Sequence, residues 1–362
     1  MSGRVASIED IARVAGVSPS TVSRALRDDA RISVETRARV RRLAGELGYV
    51  PNGVARGLRE RRTNTVGLVV TSIADPFWAD VLHGAEGAAR PSGIGVLLSS
   101  AYEDPAQELV AIERFYQHRV DGILIADSRL GARDAARLTS VPVPTVLVNS
   151  QVDEPREGLR SVSIDDYAGA QLATEHLLSL GHRRIGFLGV GNRPRSHRRR
   201  SEAWRAALRA AGIAPDPAWL VVPDADTSLE DDAAAGEALL PRLLDAGVTA
   251  ISCYNDMVAI GALVGCRARG IAVPDELSIV GFDDVPIARY VAPPLTTIHQ
   301  PRAELGGRAM ALLLDLLVGE AGADAVITPT LVVRGSTGPV GSRQSAEGDR
   351  AEAAASVQPP RR

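Results

Sequence analysis

The side chains best placed to do chemistry fall into two groups. The first is a run near the N-terminus, Ser18, Pro19, Ser20, Thr21, Ser23, Arg24 and Arg27, interleaved with Val22, Ala25 and Leu26. On a short helix the apolar members make an inner face and the others point outward. Hydroxyls and guanidiniums on one outward face suit a double-stranded nucleic acid. Arg24 can grip a guanine through two hydrogen bonds, Thr21 and Ser23 can hold phosphates, and Arg27 can reach either. Pro19 and Ser20 are short, so they discriminate little beyond a thymine methyl or one polar contact. The second group sits just after apolar runs. Asp75, Phe77 and Trp78 follow TVGLVV; Asp127, Ser128 and Arg129 follow DGILIA; Asn255 and Asp256 follow TAISCY; Asp283 and Asp284 follow LSIVGF. Carboxylates and an amide supply acceptors and donors for polyol hydroxyls, and an aromatic face can stack on a sugar ring. Asp and Asn also cap helices, and Phe77 can be a plain apolar helix start, so each signal stands beside a structural alternative.

The elements that position the first group can be read from local spacing. Ile8, Ile11, Ala12 and Ala15 line one face of a helix with Ser7 as N-cap, and Gly16 breaks it. Ser18 caps a second helix with Pro19 in its first turn. Ser33 caps a third, whose inner side is Val40, Leu43, Ala44 and Leu47, and Gly48 stops it. This is a three-helix helix-turn-helix unit, and in such a unit the first residues of the second helix enter the major groove. Charge agrees: residues 1 to 62 hold thirteen arginines against seven carboxylates, or +6, so the remainder must carry −9 to reach the net −3. A basic module on an acidic body fits phosphate binding, and a solvated arginine-rich bundle is the alternative.

From Thr65 apolar strand-like runs alternate with amphipathic helices. TVGLVV, GVLLSS, DGILIA and PTVLVN form one set; SVSI, RRIGFLG, WLVV, TAISCY and LSIVGF form a second. Such alternation predicts doubly wound α/β lobes, and in open α/β sheets ligands bind beyond the carboxyl ends of strands.

The blocks IEDIARVAGVSPSTVSRAL (Ile8 to Leu26) and ISVETRARVRRLAGELGYVPNGVARGLR (Ile32 to Arg59) resemble the DNA-binding head of lactose-repressor-type (LacI/GalR) transcription regulators, and the resemblance continues to about Arg334. It implies an α/β fold with a helix-turn-helix head and two lobes of periplasmic-binding-protein type. The expected domains are a head at 1–50, a hinge at 51–64 and a two-lobed effector-binding and dimerisation domain at 65–337. Within the latter, the N-lobe takes about 65–160 plus 301–320 and the C-lobe about 161–298 plus 326–337. The last helix and the strand PTLVV then return to the first and second lobes respectively. Asn52 is read as a cap of the hinge, but Gly53 and Gly57 each weaken a helix by roughly 1 kcal/mol, so the hinge should be helical only when held. By resemblance Leu58, with Ala55 beside it, wedges into the minor groove of the operator. The resemblance also puts Asp75, Phe77 and Trp78 in an effector pocket. Most of the arginine run Arg193 to Arg200 is expected to be exposed at a helix start; the resemblance turns Arg200 inward and makes Asn255, Asp283 and Gln300 ligand-side residues. The loop at Pro223 to Asp226 lacks the aromatic that the family commonly places there. The tail from Gly338 to Arg362 has no leucine heptads and is expected to be disordered.

Composition narrows the classes. No apolar run reaches 18 residues and the N-terminus lacks a signal h-region, so a cytoplasmic chain without membrane contact is expected. Cys253 and Cys266 are too few for a disulfide framework, and no cluster has metal-ligand spacing. GVGNRP lacks the third glycine of a dinucleotide loop, and no nucleophile-base constellation stands out, which argues against an enzyme or a cofactor. The reading is a homodimeric repressor-like regulator of a pseudo-palindromic operator, controlled by a small molecule, a sugar or sugar derivative. The alternative is a two-lobed sugar-binding protein without a regulatory role.

Overall fold

A computed structural model describes residues 6–49, 62–102, 104–130, 138, 143–150, 159–191, 193–224 and 231–341. The chain divides into two compact units, Met1–Thr63 and Asn64–Arg362.

In the first unit α1 (Ile8–Ala15), α2 (Pro19–Ala25) and α3 (Val34–Glu46) enclose a small core of Ile11, Ala12, Ala15, Val22, Ala25, Val40 and Ala44. Their ends are satisfied by side chains, because the first amides of a helix have no partner within it. Ser7 and Asp10 form a reciprocal capping box, Ser18 Oγ accepts from the Thr21 amide at 3.2 Å, and Ser33 Oγ accepts from the Thr36 amide at 3.2 Å. Gly16 and Gly48 end α1 and the last turn after α3, both with φ of 63°. One expectation fails: Leu47 is the C-cap residue of α3 and 38% exposed, since the chain has already begun to leave the helix there.

The second unit contains two sheets, each of six strands among the described residues. The first is built from β1 (Thr65–Val70), β2 (Gly95–Ser100), β3 (Gly122–Ala126), β4 (Thr145–Val148) and β5 (Arg160–Ile164), joined late in the chain by β11 (Ala325–Ile327). Its order is β11-β5-β4-β3-β1-β2, all parallel. Helices α4 (Phe77–Ala89), α5 (Pro105–Gln117) and the late α10 (Arg302–Leu317) pack on it. The second sheet holds β6 (Ile185–Leu188), β7 (Leu220–Val221), β8 (Ala250–Cys253), β9 (Ser278–Asp283), β10 (Thr296–His299) and β12 (Thr330–Val332), in the order β12-β10-β9-β8-β6-β7. Only β12 runs antiparallel there among the described strands. Its helices are α6 (Asp166–Ser179), α7 (Pro194–Ala210), α8 (Asp232–Asp245) and α9 (Asp256–Ala268). The inner strands β1, β3 and β4 read as largely apolar runs because both faces of a parallel sheet are covered there.

Two lobe assignments are corrected. The strand at SVSI belongs to the first sheet, where Val162 pairs with Val148, and the chain changes lobe only after Ile164. Ala325–Ile327 adds an unforeseen strand to the same sheet, beside β5. With α10 and β12 the chain crosses between lobes three times. Gly338, counted with the tail, is tied down: its carbonyl accepts from His182 Nε2 at 3.0 Å, and the Val340 amide donates to Leu180. Residues 342–362 lie outside the described residues, as do the hinge residues Asn52, Ala55 and Leu58 and the expected helix near Gly131. No described helix is long and apolar enough to cross a membrane.

Each lobe relies on one very close helix pair. Where α4 meets α10, a methyl on Gly84 would run into the Ala303 carbonyl and one on Gly306 into the Val81 carbonyl. In the other lobe Gly236 of α8 and Gly261 of α9 face Val258 and Ala233 carbonyls in the same way. Only glycine lets the backbones approach so far. Gly306→Ala is therefore expected to cost roughly 1 to 3 kcal/mol through overpacking, measured by urea unfolding of the full chain. Wild-type stability would show that the pair can separate freely.

Candidate functional site

The outward face of α2 has the solvent access a reading face needs. Ser18, Pro19, Ser20, Arg24 and Arg27 are exposed, and Thr21 and Ser23 are half-buried. Ser18 Oγ, already the cap, also lies 2.8 Å from Ser20 Oγ and 2.9 Å from Thr21 Oγ1. These hydroxyls form a linked set at the helix start, where partial positive charge favours a phosphate. No described carboxylate lies within salt-bridge distance of Arg24 or Arg27, whereas Arg31 is held by Asp29 at 2.7 Å.

The second candidate site lies where the two sheets of the larger unit turn their strand ends toward each other. Seven expected residues, Asp75, Phe77, Trp78, Arg200, Asn255, Asp283 and Gln300, line one inner pocket of about 30 Å³. Ser128, the eighth, lines an adjoining chamber of about 240 Å³. Strand ends explain the convergence: Asp75 and Phe77 follow β1, Ser128 follows β3, Asn255 follows β8, Asp283 ends β9 and Gln300 follows β10.

Their individual settings differ. Asp75 Oδ1 accepts from the Phe77 amide at 3.0 Å, so it starts α4 as well as facing the pocket. Phe77 and Trp78 are buried, edge to face at 4.8 Å, and Trp78 Nε1 donates to Thr71 at 2.9 Å. Ser128 Oγ donates to Glu108 Oε1 at 2.6 Å. Asn255 caps α9 through Oδ1 and donates from Nδ2 to Asp232 at 2.6 Å. The capping and pocket-lining roles thus coexist. Asp283 has φ of 123°, its side chain accepts from Gln300 Nε2, and its carbonyl accepts from Arg302 Nη1. Arg302 also donates to Asp80 at 2.7 Å, so the crossover into α10 ties the lobes beside the pocket. Gln300 Oε1 is buried and has no hydrogen-bond partner among the described residues.

Arg200 lies on the inner side of α7, donating to Asp166 at 2.8 Å and to the Tyr254 carbonyl at 2.6 Å, with its guanidinium 3.7 Å from the Phe282 ring centroid. Arg193, in a run expected to be mostly exposed, is buried at the centre of the cleft. It reaches Asp232 at 2.8 Å, Asp75 at 3.2 Å and Asp127 at 3.8 Å, and so spans both lobes. An arginine run reads as a solvated face, and nothing local marks the first member as the one that turns in. Tyr254 was also missed; its hydroxyl lies 2.6 Å from Ser196 Oγ. Burial pushes the Asp127 carboxyl up against the pull of Arg193, and burial pushes Asp283 well above the usual carboxylate range. A protonated carboxyl can donate as well as accept, which suits hydroxyl groups. Among the described residues no His, Cys, Asp and Glu group could hold a metal ion.

Comparison with known proteins agrees with this anatomy. Residues 7–52 match the family "Bacterial regulatory proteins, lacI family", and residues 174–337 match "Periplasmic binding protein-like domain". The chain is 35% identical over 337 residues to the HTH-type transcriptional repressor CytR of Escherichia coli (strain K12), covering 92% of this chain and 96% of CytR. It is 36% identical over 336 residues to the HTH-type transcriptional regulator GalR of the same organism, with the same coverage. Among solved structures, the lac repressor dimer bound to operator and the anti-inducer ONPF matches with a TM-score of 0.82 and 28% identity, covering 92% of this chain and 100% of that one. A complex of the transcriptional regulator CelR with cellobiose matches with a TM-score of 0.69 and 30% identity, covering 91% and 99%.

Removing the central cation leaves Asp75, Asp127 and Asp232 facing one another. Arg193→Ala is expected to cost roughly 2 to 4 kcal/mol in urea unfolding at pH 7, below a fully buried pair because Asp75 and Asp127 are 20% and 21% exposed. The deficit should shrink toward pH 5. A carboxyl whose folded pKa is raised stabilises the fold when protonated and loses that contribution as pH rises through the folded value. A loss independent of pH would contradict the electrostatic role.

Proposed function

The chain belongs to the lacI family of bacterial regulatory proteins, DNA-binding transcription regulators with an effector-binding body, and from that premise we propose how its residues divide the work. Two heads of a homodimer read the half-sites of a near-palindromic operator, since protein two-fold symmetry is mirrored in DNA. Arg24 reads a base edge, Thr21, Ser23 and Ser18 hold phosphates, and Pro19, Ser20 and Arg27 complete the contact. Asn52, Ala55 and Leu58 form a hinge that orders on DNA. The edge strand β2 leaves Leu97 and Leu98 each 39% exposed, which supports pairing of two bodies. The protein acts as a repressor in the cytoplasm, and the domain limits follow: a head at 1–50, a hinge at 51–64 and a body at 65–337, its lobes divided after Ile164.

The effector is a sugar or sugar derivative held between the lobes. The observation that carries this reading is the convergence of Asp75 from one lobe with Arg200, Asn255 and Asp283 from the other, beside the crossover residue Gln300, in one pocket walled by Phe77 and Trp78. Carboxyls and amides bond hydroxyls in both directions, and ring edges shield the C–H face. Because the partners come from two lobes, occupancy changes the free energy of closure. A ligand can shift operator binding only by its difference in affinity for the two states.

Titration of operator DNA with and without a sugar panel tests the scheme. Asp283→Ala should abolish the sugar response while operator binding persists; a retained response would contradict the pocket assignment. Arg24→Ala should cost roughly 1 to 3 kcal/mol on the operator and relax choice at one base pair. Equal losses on operator and random DNA would make Arg24 a phosphate contact instead.

A further inference from the structure

The two chambers of the cleft differ in their polar linings. The inner pocket is lined by the carboxyls of Asp75, Asp127 and Asp283 beside the guanidiniums of Arg193 and Arg200. The outer chamber shares Asp127, Asn149, Arg193 and Ser196 with it, so the two are continuous, but its further walls carry Arg129, Arg195 and Arg199. The chamber's own carboxylates are already engaged, Asp127 with Arg193 and Asp166 with Arg200. Among the described residues Arg195 donates to the Leu130 carbonyl alone, at 3.4 Å across the lobe boundary, and Arg199 lies 5.2 Å from the Tyr167 ring centroid. Neither has a described carboxylate within salt-bridge distance. Arg199 Nε is buried with no acceptor among the described residues.

Local structure adds to the same field. The first turn of α7 holds no acidic residue, and no side chain caps its first amides. Uncapped amides at a helix start carry partial positive charge and favour an anion. A guanidinium offers parallel donors that fit the oxygen pairs of a phosphate or carboxylate. From these observations we propose that the effector is two-ended: a polyol part in the inner, carboxyl-lined pocket and an anionic group, a phosphate ester or a carboxylate, between Arg195 and Arg199 in the outer chamber. Arg129 approaches from the other lobe, so an anion there draws the lobes together. This deepens the sugar reading above and rests on it.

The test uses the full chain and matched probes in calorimetric titration: glucose and ribose, glucose 6-phosphate and ribose 5-phosphate, glucuronate, and inorganic phosphate. At least one anionic sugar should bind about tenfold or more tighter than its neutral parent, since charged hydrogen bonds are the stronger kind. That margin should narrow as salt is raised and largely vanish in the Arg195→Gln, Arg199→Gln double variant. Glucuronate against glucose 6-phosphate distinguishes carboxylate from phosphate. The salt series needs only the wild-type chain, so the outcome does not hang on the variant folding. Neutral sugars binding as well as or better than their anionic forms would overturn this inference while leaving the sugar-responsive regulator intact. Inorganic phosphate binding as tightly as the sugar phosphates would overturn the two-ended ligand. If no probe of either kind binds, the sugar reading fails and takes this one with it.

Discussion

Buried charge must be compensated, and that constraint organises the cleft. Arg193 stands among three carboxylates drawn from both lobes, and Arg200 leans on Asp166 and on the faces of Phe282 and Tyr254. Of these contacts, those of Arg193 with Asp75 and Asp127 join groups from different lobes, whereas Arg200 and its partners belong to one lobe. The lobes therefore hold one another by interactions that a polar ligand entering the cleft must rearrange. In the proposed site the groups that would meet a ligand include groups that bridge the lobes, which would couple occupancy to geometry without any dedicated transmitter.

The packing beneath that cleft is rigid by contrast. Glycine contacts between α4 and α10 in one lobe, and between α8 and α9 in the other, let backbone touch backbone. Close-packed layers of this type move as bodies more readily than they deform. Relative displacement of the lobes is then confined to the short crossover segments. There Gln300, Arg302 and Asp283 already share hydrogen bonds next to the inner pocket.

Much of this was legible in the sequence because the signals were local. Caps, glycine stops and apolar spacing locate all three head helices, and Leu47 misled only because the last turn of a helix no longer keeps the periodicity of its interior. Residues following apolar runs converge on the cleft because strand ends in a parallel sheet lie on one side. What could not be read depends on distant partners. Arg193 looks like its neighbours until three carboxylates separated by long stretches of chain are brought around it. Val162 and its strand carry no mark of which sheet they join, since a buried parallel strand has the same composition in either lobe, and the three residues of Ala325–Ile327 are too few to show a pattern.

The discontinuous lobes bear on how the protein is made. The sheet begun by Thr65 lacks its edge strand until Ile327 has been synthesised, and its neighbour waits for Val332. Through most of translation the nascent polypeptide therefore exposes unfinished apolar layers, a condition that favours chaperone capture. Neither lobe can be cut out as one continuous segment, so exchanging a whole lobe with a relative would need several simultaneous breakpoints, and innovation in this body is steered toward point changes in the cleft.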